Sequence, residues 1–359
     1  MKYSLIVLYN NYNGIDTVDY APVSSALLAG GVFLDEIVIL PYNSPSAVSA
    51  ALLRLSAECD AVIIACDRAL HNYAREAAAE AAAKPFTDEY LLETERCLYA
   101  VLPLGARGAE LAREEVVPRI DARRGKRFSR VVVRYVAAPG ERVREVLKEA
   151  AAASGGKLSL HAGEKYGCGR IEVIYDSETP KMIMDDVVRI LASSLAEWTY
   201  ALEDVTIEQR LFEVLKLHRL RISTAESFTA GGVGQAIVSN PGASEVFFEG
   251  LNTYDNKSKQ ERLNVSEFTL RNKGAVSDET AYEMAAGLIA QGNCDISIAT
   301  TGIAGPDADG TDKPVGLCFL AIGTKERVRV FRYRLAGDRE TVTKTAINLA
   351  LFHAYQEIK

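Results

Sequence analysis

The sequence has few of the residues that build metal centres or redox-active dithiols. Six cysteines are spread along 359 residues without a C-x-x-C pair, and the four histidines lie far apart with no metal-ligand spacing. Structural zinc needs clustered Cys or His ligands, so we predict no metal site and no cofactor. Scattered cysteines of this kind are typical of free thiols in a reducing cytoplasm.

The sequence also lacks a long apolar run and an excess of positive charge. The apolar run Ser4–Tyr9 is too short for a signal peptide or a membrane segment, and asparagines follow it. The chain has 41 Lys and Arg against 48 Asp and Glu, which gives a net charge of -7. Surfaces that bind nucleic-acid phosphates have the opposite balance. We therefore expect a cytoplasmic protein with neither a membrane nor a nucleic-acid partner.

What is present is an ordinary globular composition, 48% hydrophobic and 25% charged, in a chain long enough for two or three domains. Residues 1–125 alternate between apolar runs and helical segments. This order is typical of an α/β domain with a largely parallel sheet. The predicted strands are Tyr3–Tyr9, Leu34–Pro41, Asp60–Cys66 and Tyr99–Leu104, and the predicted helices are Val18–Leu28, Ser44–Glu58, His71–Ala83 and Gly108–Ala122.

Residues 126–204 have a different order and predict a small α+β unit. The basic run Asp121–Arg127 is interpreted as a linker before it, although a solvated surface run fits equally well. No G-x-x-G loop joins the predicted helices, which disfavours an RNA-binding KH module, so an interaction or spacer role is the better interpretation. The predicted elements are strand Ser129–Val136, helix Gly140–Ala152, strands Lys157–Ala162 and Arg170–Tyr175, and helix Lys181–Tyr200.

The most informative stretch is Thr224–Gly232, a small polar turn between a predicted strand and a predicted helix. Such a turn leaves backbone N–H groups unpaired at the helix N-terminus, where they favour developing negative charge. Ser227 can act there as a nucleophile with those amides as oxyanion donors. The alternative is that Ser227 or Thr229 only caps the helix, which is the commoner role. The turn alone leaves both interpretations open.

Two further features follow this turn. A helix predicted from Asn256 carries Lys257 and Lys259 close to its N-terminus, where cations oppose the helix dipole. Solvation is the usual explanation of such lysines. The predicted strand Asp295–Thr301 leads into residues 302–316, which are too rich in Gly and Pro for regular structure. The backbone of such a loop can approach a ligand closely.

Seven short motifs follow one another between residue 205 and the end of the chain. They are Thr224-Ala225-Glu226-Ser227, Pro241-Gly242-Ala243-Ser244, Tyr254 with Asn256 and Lys259, Gly274-Ala275-Val276-Ser277, Thr301-Gly302-Ile303-Ala304-Gly305-Pro306, Lys313-Pro314-Val315-Gly316 and Gly337-Asp338-Arg339. Together they resemble the CinA C-terminal domain, a three-layer α/β fold of the PncC-type nicotinamide mononucleotide (NMN) deamidases. Upstream, residues 1–125 resemble the molybdopterin-binding-like domain of a CinA protein, and residues 126–204 its KH-like connecting domain.

The resemblance implies a homodimer that hydrolyses the carboxamide of NMN, a step of the pyridine nucleotide cycle, to nicotinate mononucleotide and ammonia without a metal. Ser227 would be the nucleophile, Lys259 its general base and Tyr254 a supporting hydroxyl. A serine needs a neighbouring base, and a buried lysine can be one. Amides of residues 229–232 would hold the oxyanion. The substrate-binding residues would be Glu226, Thr229, Gly231, Thr301, Gly302 and Arg339, with Arg339 contacting the phosphate.

The sequence departs from the family pattern in four places. The family often has a small residue where Phe228 stands, and two adjacent glycines after Pro306 where Asp309 precedes Gly310 here. Ala230 stands where the family usually has glycine. After the third strand, CinA proteins usually carry G-G-x-G-P-T and aspartates, whereas this chain has Ala65-Cys66-Asp67-Arg68-Ala69-Leu70. The ADP-ribose pyrophosphatase activity associated with that domain needs a metal held by carboxylates. We therefore predict that residues 1–125 are degenerate and serve structure or dimerisation.

Two functions are consistent with these features. The first is an NMN amidohydrolase, and the second is a non-catalytic protein that keeps the pocket to sense a nucleotide. The set Ser227, Lys259 and Tyr254 favours the enzyme, because a sensor needs neither a nucleophile nor its base.

Overall fold

The computed structural model describes residues 1–10, 18–307 and 312–359 of the chain. Its described strands form three sheets in an α/β architecture, so the predicted fold class is confirmed. The chain divides into two compact units. The first comprises residues 1–130, 153–159 and 173–186, and the second comprises residues 131–152, 160–172 and 187–359. The three-domain division at residues 125 and 204 stays a prediction.

The elements of residues 1–125 alternate as the sequence predicts. They are β1 (Tyr3–Tyr9), α1 (Ala21–Ala29), β2 (Glu36–Pro41), α2 (Pro45–Glu58), β3 (Ala61–Cys66), α3 (His71–Ala82), β4 (Leu91–Glu93), β5 (Leu98–Pro103), α4 (Gly105–Leu111) and α5 (Val117–Arg124). A π-helical segment, Ala112–Val116, joins α4 to α5. Pro118 lies in the first turn of α5 and has no N–H to donate, which accounts for the locally widened helix.

The sheet of this region has the order β2-β1-β3-β5-β4 and is parallel except for β4, which pairs antiparallel with β5. Alternate strand residues face opposite sides. Leu5 and Ile63 pack with α1, α4 and α5, whereas Ile6 and Ile64 pack with α2 and α3. Helices therefore cover both faces of the sheet, which explains why its strands are apolar throughout.

The middle of the chain forms a four-stranded sheet with the order β7-β8-β6-β9. Its elements are β6 (Phe128–Val136), α6 (Gly140–Ser154), β7 (Ser159–Lys165), β8 (Cys168–Asp176), α7 (Lys181–Ser194) and β9 (Thr199–Ala201). The helix predicted to reach Tyr200 ends at Ser194, and β9 pairs antiparallel with β6. Segments of this region belong to each of the two units.

The last part of the chain forms a second five-stranded sheet with the order β11-β10-β12-β13-β14. Its elements are α8 (Ile207–His218), β10 (Ile222–Glu226), α9 (Gly232–Val238), β11 (Phe247–Asn252), α10 (Asn256–Leu263), α11 (Glu267–Asn272), α12 (Asp278–Ala290), β12 (Ile296–Gly302), β13 (Leu317–Thr324), β14 (Val328–Arg334) and α13 (Arg339–Ile358). β10 pairs parallel with β11 and β12, whereas β13 pairs antiparallel with β12 and β14. β13 and β14 therefore form a hairpin.

Both faces of this sheet are covered by helices. Ile222 and Ile298 pack with α8, α9 and α13 on one face, whereas Ala225 and Ala299 pack with α10, α11 and α12 on the other. Because β10, β11 and β12 are parallel, their carboxyl ends meet at one edge, with Glu226 beside both Asn252 and Thr300. The last residues of these strands and the segments that follow them carry the predicted site residues other than Arg339.

Candidate functional site

Ser227 directly follows β10, and its N–H donates to the carbonyl of Thr300 at 3.0 Å. The chain then turns sharply into α9, with Ala230 and Gly231 in the left-handed conformation, at φ of 50° and 94°. Ser227 is 9% exposed, so most of this residue is packed within the turn.

Lys259 lies 32 residues further along the chain, and its Nζ is 3.3 Å from Ser227 Oγ. The side chain of Asp255 caps α10 by accepting the N–H of Lys257 at 2.7 Å. In the second turn, Lys259 points inward and has 0% exposure. Solvation, the usual explanation of such a lysine, therefore does not apply to Lys259.

Lys259 loses its proton more easily than a lysine in water. Burial lowers the pKa of its amine to about 8, against a smaller opposing effect of Asp255. Nζ donates to the carbonyls of Thr253 and Tyr254 at 2.6 and 2.9 Å. A neutral amine has two N–H groups and one lone pair, so these carbonyls leave the lone pair for the Ser227 hydroxyl. The arrangement can remove a proton from Ser227.

The amides predicted to hold an oxyanion are mostly used by the protein itself. The N–H groups of residues 230–232 donate to Ser227 O, Glu226 Oε2 and Thr229 O at 3.2, 3.0 and 2.9 Å. The prediction is therefore wrong for these three amides, because they donate hydrogen bonds to acceptors within the turn. Within the described parts of the chain, the N–H groups of Phe228 and Thr229 have no acceptor. They adjoin Ser227 and are the remaining donors for an oxyanion.

Tyr254 approaches the pair through its backbone. Its carbonyl accepts from Lys259, whereas its side chain is 66% exposed. No residue that the structure describes hydrogen-bonds to its hydroxyl.

Thr301 and Gly302 lie at the end of β12 and are both used structurally. Thr301 Oγ1 donates to the carbonyl of Ala275 at 2.6 Å. A Cβ on Gly302 would lie 2.6 Å from that of Cys318, so glycine is required by the neighbouring strand. Residues 308–311 of the predicted loop lie outside the described residues.

Arg339 is the first residue of α13, after the capping residue Asp338. Its Nη1 donates to the carbonyl of Gly305 at 2.7 Å, which links α13 to the segment after β12. This is its one hydrogen bond to a described residue, so most of the guanidinium N–H groups are available to another acceptor.

In residues 1–10, 18–307 and 312–359, no group of three or more His, Cys, Asp or Glu side chains is arranged to hold a metal ion. None of the helices described in these ranges is long and apolar enough to cross a membrane.

Residues 204–358 match the family described as the CinA C-terminal domain. This part of the chain is a CinA C-terminal domain. A competence-damage inducible protein of Caldicellulosiruptor saccharolyticus is 41% identical over 176 residues, which cover 49% of this chain and 43% of that protein. One of Caldanaerobacter subterraneus subsp. tengcongensis is 30% identical over 273 residues, which cover 75% of this chain and 65% of that protein. The latter match is longer than the CinA domain and includes residues upstream of it.

A crystal structure of a CinA superfamily protein from Escherichia coli is 33% identical to this chain, with a TM-score of 0.41, and covers 42% of this chain and 90% of that chain. In its match to the Caldicellulosiruptor protein, this chain spans less than half of the relative's length.

Two residues that position the pair are not recognisable in the sequence. The carbonyl of Thr253 holds Lys259, and Thr300 accepts from Ser227 through its carbonyl. Every residue has a backbone carbonyl, so the residue type does not show which carbonyl accepts a hydrogen bond. Only knowledge of which strands are neighbours could have identified these two.

Proposed function

We propose that the CinA domain of this chain is an amidohydrolase that converts NMN to nicotinate mononucleotide and ammonia. The observation that carries the proposal is the 3.3 Å approach of a fully buried lysine amine to the hydroxyl of Ser227. Membership of residues 204–358 in the CinA C-terminal family supports the choice of substrate. The relatives' names say only that they are competence-damage inducible.

The first half of the reaction acylates Ser227. Neutral Lys259 takes the hydroxyl proton while Oγ adds to the carboxamide carbon of the substrate. The N–H groups of Phe228 and Thr229 stabilise the negative charge that develops on the carboxamide oxygen. Protonated Lys259 then gives its proton to the leaving nitrogen, which departs as ammonia and leaves an ester on Ser227.

The second half hydrolyses this ester. Lys259, neutral again, takes a proton from water as the water oxygen attacks the ester carbon. Collapse of the tetrahedral intermediate breaks the bond to Ser227 Oγ, which recovers a proton from Lys259. The carboxylic acid product loses its proton to water, and nicotinate mononucleotide leaves as the carboxylate.

The remaining predicted residues surround this centre. Arg339 is proposed to bind the substrate phosphate with the N–H groups that Gly305 leaves free. Tyr254, Thr301 and Gly302 are proposed to line the pocket. Residues 1–125 are proposed to serve structure or dimerisation in a homodimer, and residues 126–204 to serve as an interaction or spacer unit.

Ammonia release from NMN in the presence of EDTA tests the proposal. The wild type should be active, and Ser227→Ala and Lys259→Ala should each lose several orders of magnitude. Lys257→Ala is the matched control, because this side chain is exposed and two residues away. NMN binding without turnover by the wild type would favour the sensing protein instead. Activity that survives Ser227→Ala would refute the proposed nucleophile.

A further inference from the structure

Glu226, the last residue of β10, is a buried carboxylate that is held by backbone amides instead of a cation. Its side chain is 1% exposed. Oε2 accepts from the Thr229 hydroxyl at 2.8 Å and from the N–H groups of Gly231 and Val233 at 3.0 Å, and Oε1 accepts from Gly234 N–H at 2.8 Å. These amides lie at the N-terminus of α9, where the helix dipole favours a negative charge. The charge is therefore stabilised inside the fold.

This carboxylate sets the direction of a short chain of hydroxyl groups. Thr229 gives its one hydroxyl proton to Glu226, so in its 2.6 Å contact with Thr300 Oγ1 it must be the acceptor. Thr300 is thus the donor, and its carbonyl accepts the N–H of Ser227. The turn that presents Ser227 is consequently fixed from both ends, by the Glu226 side chain and by β12.

The backbone of Glu226 leads to the other member of the pair. Its carbonyl accepts the N–H of Thr253 at 2.9 Å, and the carbonyl of Thr253 accepts from Lys259 Nζ at 2.6 Å. Glu226 therefore contacts both the turn that carries Ser227 and the segment that holds Lys259.

The family resemblance implies that Glu226 contacts the substrate. We propose instead that Glu226 is a positioning residue, which holds Ser227 and Lys259 in their relative positions and does not contact the substrate. This inference rests on the proposed function. All four donors observed on its carboxylate belong to the protein, and they occupy both oxygens. The negative charge of Glu226 therefore affects the proposed reaction by holding the turn that carries Ser227 in place.

Glu226→Gln is the most informative variant. The amide retains one acceptor oxygen but places an NH₂ group against one of the backbone N–H donors, so the turn relaxes. We expect kcat for NMN to fall about 100-fold, as displacements near 1 Å can do, with KM little changed. The rate at which a fluorophosphonate labels Ser227 should fall in parallel. The acid limb of the pH profile should stay near the pKa of Lys259, about 8.

Ser297→Ala is the matched control, because it removes a buried hydrogen bond to the Ala285 carbonyl, 2.9 Å long, elsewhere in the same sheet. Its kcat and labelling rate should stay near wild type. A second variant, Thr229→Val, keeps the charge and cuts only the hydroxyl link, and should lower both rates about 10-fold. It serves as the test if Glu226→Gln does not fold.

The outcomes separate this inference from the proposed function. The positioning role would be overturned if Glu226→Gln had the same labelling rate and kcat as Ser297→Ala. It would also be overturned if Glu226→Gln raised KM strongly and changed nothing else. If the wild type is labelled at Ser227 but does not hydrolyse NMN, the proposed substrate is wrong, and the labelling rates still decide the role of Glu226. A wild type that is neither labelled nor active would refute both.

Discussion

Lys257 and Lys259 lie two residues apart on α10, yet the side chain of Lys257 is 78% exposed and that of Lys259 has no exposed surface. Because burial lowers the pKa of Lys259 to about 8, the amine is mostly protonated at pH 7 and neutral above pH 9. Only the neutral form can accept the proton of Ser227. The environment of this one side chain therefore sets the pH at which the proposed chemistry works.

The first prediction concerns the pH dependence of NMN hydrolysis. Below pH 8 we expect kcat/KM to fall about tenfold per pH unit, and above pH 8 to level off, because the fraction of neutral Lys259 follows this course. Ammonia release measured from pH 6 to pH 10 checks it. Lys257→Ala should show the same limb. A profile that is flat across this range would exclude Lys259 as the base.

The second prediction concerns stability. The folded chain releases the Lys259 proton near pH 8, whereas an unfolded lysine keeps it to about pH 10.5. Between these values the unfolded state binds more protons, so the free energy of unfolding rises with pH. Relative to Lys259→Met, the wild type should gain about 3 kcal/mol between pH 8 and pH 10.5. Urea unfolding of both proteins measures this difference, and a constant difference would contradict the buried amine.

The third prediction concerns Ala230, whose φ is 50° where the family usually has glycine. A left-handed conformation costs a residue with a Cβ about 1–2 kcal/mol, and glycine avoids this cost. Part of the gain is lost, because glycine gives the unfolded chain more conformational entropy. Ala230→Gly should therefore raise the free energy of unfolding by up to about 1 kcal/mol without loss of activity. Ala286→Gly, in the middle of α12, should instead lower it by a similar amount. Thermal unfolding compares the two, and changes of equal sign would contradict the strain at Ala230.

The sequence predicts most of the elements because apolar runs and helical periods recur without interruption. It misses β4 and α11, which at three and six residues are too short to show a period. It also cannot show that Ser227 meets Lys259, because the contact depends on β10 and β11 being parallel neighbours. The role of the Gly231 amide was mistaken for a related reason. Its acceptor, Glu226, looks like a site residue in the sequence, and only its hydrogen bonds show that it faces the N-terminus of α9.

The fourth prediction concerns residues 1–125. In the described residues, β3 runs into Asp67 and Arg68, and no acidic cluster that could hold a metal accompanies them. We therefore expect no cleavage of ADP-ribose above the enzyme-free rate with Mg²⁺ or Mn²⁺ present. Release of AMP, followed by chromatography, is the measurement. Metal-dependent cleavage that EDTA stops would show that this part of the chain is not degenerate.

The fifth prediction separates the two parts of the substrate. Arg339 uses one contact with Gly305 and has further N–H groups for a phosphate. Arg339→Lys replaces a planar fork by a point charge, so KM for NMN should rise about 10–100-fold while kcat changes little. Nicotinamide riboside has the same carboxamide and ribose but no phosphate, and the wild type should hydrolyse it with a high KM. Because the riboside offers Arg339 nothing to bind, the substitution should leave that KM unchanged. An equal loss on both substrates would mean that Arg339 acts only by linking α13 to the segment after β12.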